Sequence, residues 1–209
     1  MKKYSQTRIS IILGCIAFLT LAFGNNIDAQ SPESGNVKTS IAEVNVFATT
    51  DPIPFAGASL VRNNDAVFGT ISTSGLTPGD AVTLWWVIFN NPSACDTSPC
   101  SVADLNNALT NAAALYRGGR VVGIDGRVDF SGYLAEGDNT GAFILAPNMP
   151  NPSPGIVDAK TAAIHFVIRT HGQASDDPDT LNLQLTTLTG GCGGSPNPCK
   201  NLQSAIFEP

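Results

Sequence analysis

Positive charge, histidine and methionine are all scarce in this chain. Its 209 residues hold 11 Lys and Arg against 17 Asp and Glu, with two His and two Met. Without a basic stripe there is nothing to hold a phosphate backbone, so no nucleic acid is expected as a partner. An anionic membrane surface is disfavoured for the same reason. Enzyme signatures are missing too: no G-x-S-x-G elbow, no H-E-x-x-H pair and no phosphate-binding glycine loop. The sequons at Asn91 and Asn151 carry Pro92 and Pro152 in the middle position, which blocks glycan transfer. Charged residues make up only 13% of the chain, a low fraction that bears on solubility and not on fold.

The longest apolar run lies at the N-terminus. Lys2, Lys3 and Arg8 precede Ile9–Phe23, and Ala29 offers a small residue before a cut. This layout predicts a signal peptide over residues 1–29, with an apolar core shorter than the roughly 20 residues of a stable membrane span. An uncleaved anchor is the rival reading. Lipidation at Cys15 is rejected, because apolar Ile16-Ala17-Phe18-Leu19 follows where a polar segment belongs. Cleavage after Ala29 removes three of the 11 basic residues and one of the 17 acidic ones, leaving 8 and 16, a formal charge of −8. No membrane partner is expected after that cleavage, and the destination is the periplasm or the medium.

About 180 residues then remain, enough for one core. Residues 30–40 lack apolar periodicity and read as a flexible leader, which leaves residues 41–209 as the folded domain. Four cysteines remain, and an even count in an exported chain reads as disulfides. Each close pair brackets a turn-rich segment, which favours Cys95–Cys100 and Cys192–Cys199 among the three possible pairings. Loops this short contribute about 2 kcal/mol each, so they pin loops instead of holding the domain together. Zinc is the rival, but the spacings are not the usual zinc pairs. No metal and no cofactor are expected.

Period-two alternation runs through Ala42–Val46, Val128–Leu134 and Leu181–Leu185, and marks strands with one face buried. Leu84–Phe89 is continuously apolar and reads as a central strand buried on both faces. Thr77-Pro78-Gly79-Asp80 and Gly137–Gly141 supply turns. One helix is predicted: Leu105, Ala108, Leu109, Ala112 and Tyr116 share a helical face, with Ser101 as cap and Gly118-Gly119 as stop. The fold class is therefore all-β, an antiparallel β-sandwich with one short covering helix.

Leu76-Thr77-Pro78-Gly79 resembles the turn that enters a strand in fibronectin-type sandwiches, although Val82 stands where those place tyrosine. A wider resemblance, from about Phe68 to Phe207, is to a group of exported microbial proteins without an assigned activity. Gly75–Gly79, Thr83–Pro92, Ile164–Gly172 and the two cysteine pairs carry it. It implies export and domain extent, and no function. The Ile164-His165 strand is also similar to that of chordin-type extracellular domains.

Both histidines fall in Ile164–Gly172. Alternation places His165, Val167, Arg169 and His171 on one face, with Ile164, Phe166 and Ile168 in the core. Six residues of straight strand span about 20 Å, so the histidines do not share an ion. Arg169 and His171, about 7 Å apart, are candidates for joint binding of a carboxylate or sulfate. Replacing His171, beside the Gly172 turn, is expected to cost little stability, and replacing a buried His165 more. Trp85 and Trp86 point to opposite faces, one core and the other a candidate for stacking on a flat ligand. Asp176-Asp177-Pro178-Asp179 and Asp138-Asn139 offer oxygen ligands of the kind calcium takes, with a solvated acidic loop as the default. Two functions follow as expectations: a non-catalytic binding or structural module of unknown ligand, or an extracellular hydrolase working through His165 or His171.

Overall fold

The strand-forming patterns pair into two antiparallel sheets. The computed structural model describes residues 37–193 and 199–209. The predicted signal peptide lies outside the described residues. Strands β1 (Lys38–Ala42), β2 (Asn45–Val46), β3 (Gly57–Arg62), β4 (Ala66–Thr73) and β5 (Asp80–Phe89) come first. They are followed by β6 (Ala112–Val121), β7 (Val128–Ala135), β8 (Ala163–Gln173), helix α1 (Pro178–Thr186) and β9 (Lys200–Phe207). One sheet has the order β1-β3-β4-β7, the other β2-β9-β8-β5-β6. The fold is an all-β sandwich with one short helix. Strand β1 starts at Lys38, so the last three residues read as leader are strand. The alternation at Ala42–Val46 is split between β1 and β2.

The space between the sheets is filled from both sides. Leu84, Trp86 and Ile88 of β5 and Ile164, Phe166 and Ile168 of β8 face Leu60, Ile71, Phe130 and Leu134 of the other sheet. Trp86 stacks on Phe166 at 4.8 Å between centroids, with Arg117 5.5 Å above the indole. Gly69 and Gly132 are cross-strand partners directly under this pair. A Cβ on either would collide with Trp86, and at Gly69 with Phe166 as well. Two glycines facing each other are what lets two large rings stack between the sheets. Arg62 is also enclosed there; its Nη1 donates to the carbonyls of Ala159 (2.7 Å) and Ala162 (2.8 Å).

The predicted helix does not form. Ser101 caps only a short 3-10 turn, Val102–Asn106, and a second, Ala108–Thr110, ends at Asn111 in the left-handed region. Ala112–Val121 is then strand β6, paired along β5. Its alanines have high intrinsic helix propensity, but the edge of β5 offers a full ladder of hydrogen bonds, and the tertiary choice wins. The real helix occupies Pro178–Thr186, where Leu181, Leu183 and Leu185 had suggested a strand. Asp177 caps it, accepting from the Thr180 N–H at 2.9 Å, and Pro178 fills the first turn. This helix crosses the outer face of β5 and β6, and a Cβ on Gly119 would run into the Leu185 backbone.

Candidate functional site

The outer face of the five-stranded sheet carries a cavity of about 560 Å³. Alternation along three neighbouring strands builds its floor. Trp85, Val87 and Phe89 come from β5, His165, Val167 and Arg169 from β8, and Asn201, Ser204 and Ile206 from β9. Cross-strand register sets Trp85 beside Val167, Val87 beside His165, and Arg169 beside Asn201. The walls are loops: Phe47–Thr50 after β2, Pro99–Val102 with Leu105, then Leu145 and Leu188.

Both disulfides brace these walls, and they join the cysteines paired from the sequence, Cys95–Cys100 and Cys192–Cys199. Cys100 itself lines the cavity. The buried Asp104 ties that loop down, accepting from the N–H of Asp96 (2.7 Å), the N–H of Ser101 (2.6 Å) and the Ser101 hydroxyl (2.8 Å). Burial alone would raise the Asp104 carboxyl, but these three donors outweigh it and hold the group below the usual carboxylate range. On the opposite side Arg169 holds the second loop: Nε donates to the Leu188 carbonyl (2.9 Å) and Nη2 to that of Cys199 (3.4 Å). Its Nη1 donates to Asn201 Oδ1 at 3.0 Å.

His165 is 9% exposed, and its Nε2 is buried without a hydrogen-bond partner. Burial lowers its pKa to about 4, so the ring is neutral at neutral pH. Phe89 lies against it with ring centroids 5.2 Å apart. His165 thus lines the apolar cavity as a neutral ring whose enclosed Nε2 has no partner among the described residues.

Trp85 and Trp86 do point to opposite faces, and both are buried, at 4% and 0% exposure. Trp86 belongs to the core between the sheets and is not available to a ligand. Trp85 lines the cavity, with Tyr116 and Phe143 edge-on to its indole. Its Nε1 donates to Thr83 Oγ1 at 2.9 Å.

The joint Arg169–His171 face does not exist. Between Thr170 and Gln173 the pairing of β8 with β5 is irregular, and Gly172 takes a φ of 77°, a left-handed conformation open to glycine. His171 is thereby fully buried. Its Nε2 lies 3.0 Å from Thr83 Oγ1 and its Nδ1 2.8 Å from the Gly190 carbonyl. Burial is the main cause that lowers its pKa. The strand irregularity turns His171 inward, to a buried and hydrogen-bonded place instead of the rim position expected beside Gly172.

His171 Nδ1 also lies 3.4 Å from Cys199 Sγ and 3.9 Å from Cys192 Sγ. Among the described residues this is the one cluster with the spacing for a metal ion. Both sulfurs are spent in the disulfide, and a carbonyl acceptor at Nδ1 requires a proton there, so no lone pair faces the sulfurs. The donor set does not fit a metal in this oxidised form. The acidic loops show no such grouping: Asp177 caps α1, and Asp138 accepts from the Thr140 N–H at 2.9 Å.

No carboxylate hydrogen-bonds to either histidine among the described residues, and the hydroxyl partner of His171, Thr83, is fully buried with it. Of the five ligand-contact candidates, Trp85, His165 and Arg169 meet at the cavity, whereas Trp86 and His171 do not. Three classes of position escaped the sequence: the 99–105 loop with Asp104, Phe47 before β3, and Leu145 and Leu188. They reach the cavity over long separations, and the only local signal was the turn chemistry around Cys95–Cys100.

These features define a class, a disulfide-braced β-sandwich with a ligand-sized cavity on one outer sheet face. No family model, no curated protein and no solved structure matches the chain.

Proposed function

We propose that the protein is an exported, non-catalytic module that binds a small, largely apolar molecule in the cavity over β5, β8 and β9. The observation that supports this reading most is the cavity of about 560 Å³ itself, lined mainly by apolar side chains with the neutral ring of His165 among them. That volume lies in the range of about 300–1,000 Å³ typical of small-molecule sites, and apolar lining with few polar groups is their usual composition. Trp85, Val87, Phe89 and Val167 would supply the burial, and the neutral imidazole of His165 the orienting hydrogen bond. Two disulfides suit an oxidising destination outside the cytoplasm, in keeping with the N-terminal segment. Among the described residues no helix is long and apolar enough to cross a membrane. The resemblance to exported microbial proteins agrees with this placement.

The test uses the neutral dye N-phenyl-1-naphthylamine, which brightens in apolar surroundings. Its fluorescence should rise on the wild-type protein with saturable, one-site behaviour. Val167→Phe, which fills the floor of the cavity, should abolish the rise with circular dichroism unchanged. Equal dye binding by wild type and by Val167→Phe, or no binding by wild type, would sink the proposal.

A further inference from the structure

The cavity is apolar over most of its lining, yet one fixed positive charge reaches it. Arg169 extends from the same face of β8 as His165, four residues away, which places it about 13 Å along the strand with Val167 between them. A guanidinium has five N–H donors. Three are used, and every acceptor is neutral: the Leu188 and Cys199 carbonyls and the side-chain oxygen of Asn201. Among the described residues no carboxylate pairs with Arg169, and burial is what lowers its pKa. A half-buried cation without a counter-ion is costly, because desolvation is not repaid by an opposite charge. The three hydrogen bonds fix the guanidinium plane in advance, which reduces the ordering cost of docking an anion on the two remaining donors. Arg62 and Arg117 differ on this point: burial lowers both, but Glu208 and Asp158 act electrostatically on Arg62, and Asp138 on Arg117.

Resting on the cavity reading above, we infer that the ligand is an apolar monocarboxylate: its carboxylate meets Arg169 and its hydrocarbon or aryl body lies along Val167 and Trp85. One cation at one end of an otherwise apolar space selects a single anionic head. It disfavours zwitterions and dianions, whose second charge would lie among Val87, Val167 and Trp85 with nothing to pair it. The chain's net negative charge slows the encounter of any anion, so affinity here has to come from the local contact.

The experiment compares decanoate with 1-decanol as competitors of bound N-phenyl-1-naphthylamine at neutral pH, below the concentrations at which either aggregates. Decanoate should displace the dye at concentrations about tenfold or more below those needed for decanol, a difference expected of one charge-assisted contact. Arg169→Gln should erase that preference, acid and alcohol then displacing the dye at equal concentrations. Arg169 also anchors the connection between α1 and β9, so Arg169→Lys serves as the second variant; it should keep a preference for the acid, because the charge stays. Equal displacement by acid and alcohol on the wild type would overturn the carboxylate inference and leave the cavity reading standing. Dye binding that neither compound disturbs would overturn it as well. If the dye itself fails to bind, both readings fall together.

Discussion

Thr83 Oγ1 lies 3.0 Å from His171 Nε2, and this contact orders a whole chain of donors beneath the cavity. The indole of Trp85 can only donate, so Thr83 must accept from it and pass its own proton to His171. His171 then carries its proton on Nδ1, directed at the Gly190 carbonyl. Trp85, on the cavity floor, is thus oriented by a buried relay beneath it.

This relay makes His171 structural and His165 dispensable to the fold. His171→Ala leaves the buried Thr83 hydroxyl without an acceptor for its proton and the Gly190 carbonyl without its donor, and should cost about 3 kcal/mol. His165→Ala breaks no hydrogen bond and should cost about 1 kcal/mol, through lost contact with Phe89. Denaturant unfolding of the two single variants checks the order, which is the reverse of what the Gly172 turn suggested from sequence.

His165 should leave a signature in the pH dependence of stability. Its folded pKa of about 4 lies below the ordinary value of 6.5, so protons bind the unfolded chain more readily. The stabilisation is complete above pH 6.5 and is lost as pH falls toward 4, by about 3 kcal/mol over that window. His165→Asn removes the titration and should flatten this part of the curve. His171, also lowered, supplies a remaining slope. A variant curve parallel to wild type between pH 6.5 and 4 would contradict the neutral, buried imidazole.

The second disulfide should matter more to binding than its small loop suggests. Arg169 donates to the Cys199 carbonyl, and His171 packs against both sulfurs. Cys192→Ser together with Cys199→Ser should lower stability by about 2 kcal/mol, the loop-closure value. Decanoate affinity should fall with it, while Cys95→Ser with Cys100→Ser, which makes no hydrogen bond to Arg169, should spare the preference for acid over alcohol. Dye competition on the two double variants reads both effects.

Strands announced themselves where burial is regular. The run Leu84–Phe89 is apolar throughout because its inner face fills the sandwich and its outer face floors a cavity. Val128–Leu134 alternates because only one side of β7 is covered. The helix was hidden because its attachment is polar. Gln184, 1% exposed, donates to the carbonyls of Gln173 (3.0 Å) and His171 (3.4 Å) and accepts from the Ser175 N–H (2.9 Å). A helix held by a buried glutamine and by the Tyr116 hydroxyl on the Leu185 carbonyl leaves no apolar stripe to read, although Asp177-Pro178 was a legible start signal. At the site, period two correctly grouped His165 with Arg169 and separated Trp85 from Trp86. It failed at His171, where the bulge breaks the period, and it could not show the loop walls.

The two tryptophans offer the most direct measurement of the central claim. Each indole N–H gives its own signal in a proton–nitrogen NMR spectrum, and the two rings lie on opposite faces of one strand. Titration with N-phenyl-1-naphthylamine should move the Trp85 indole signal through the ring current of the bound dye and leave that of Trp86, sealed between the sheets, in place. Assignment follows from Trp85→Phe. A stationary Trp85 signal at saturating dye, or equal movement of both signals, would show that the cavity over β5, β8 and β9 is not where the protein binds its ligand.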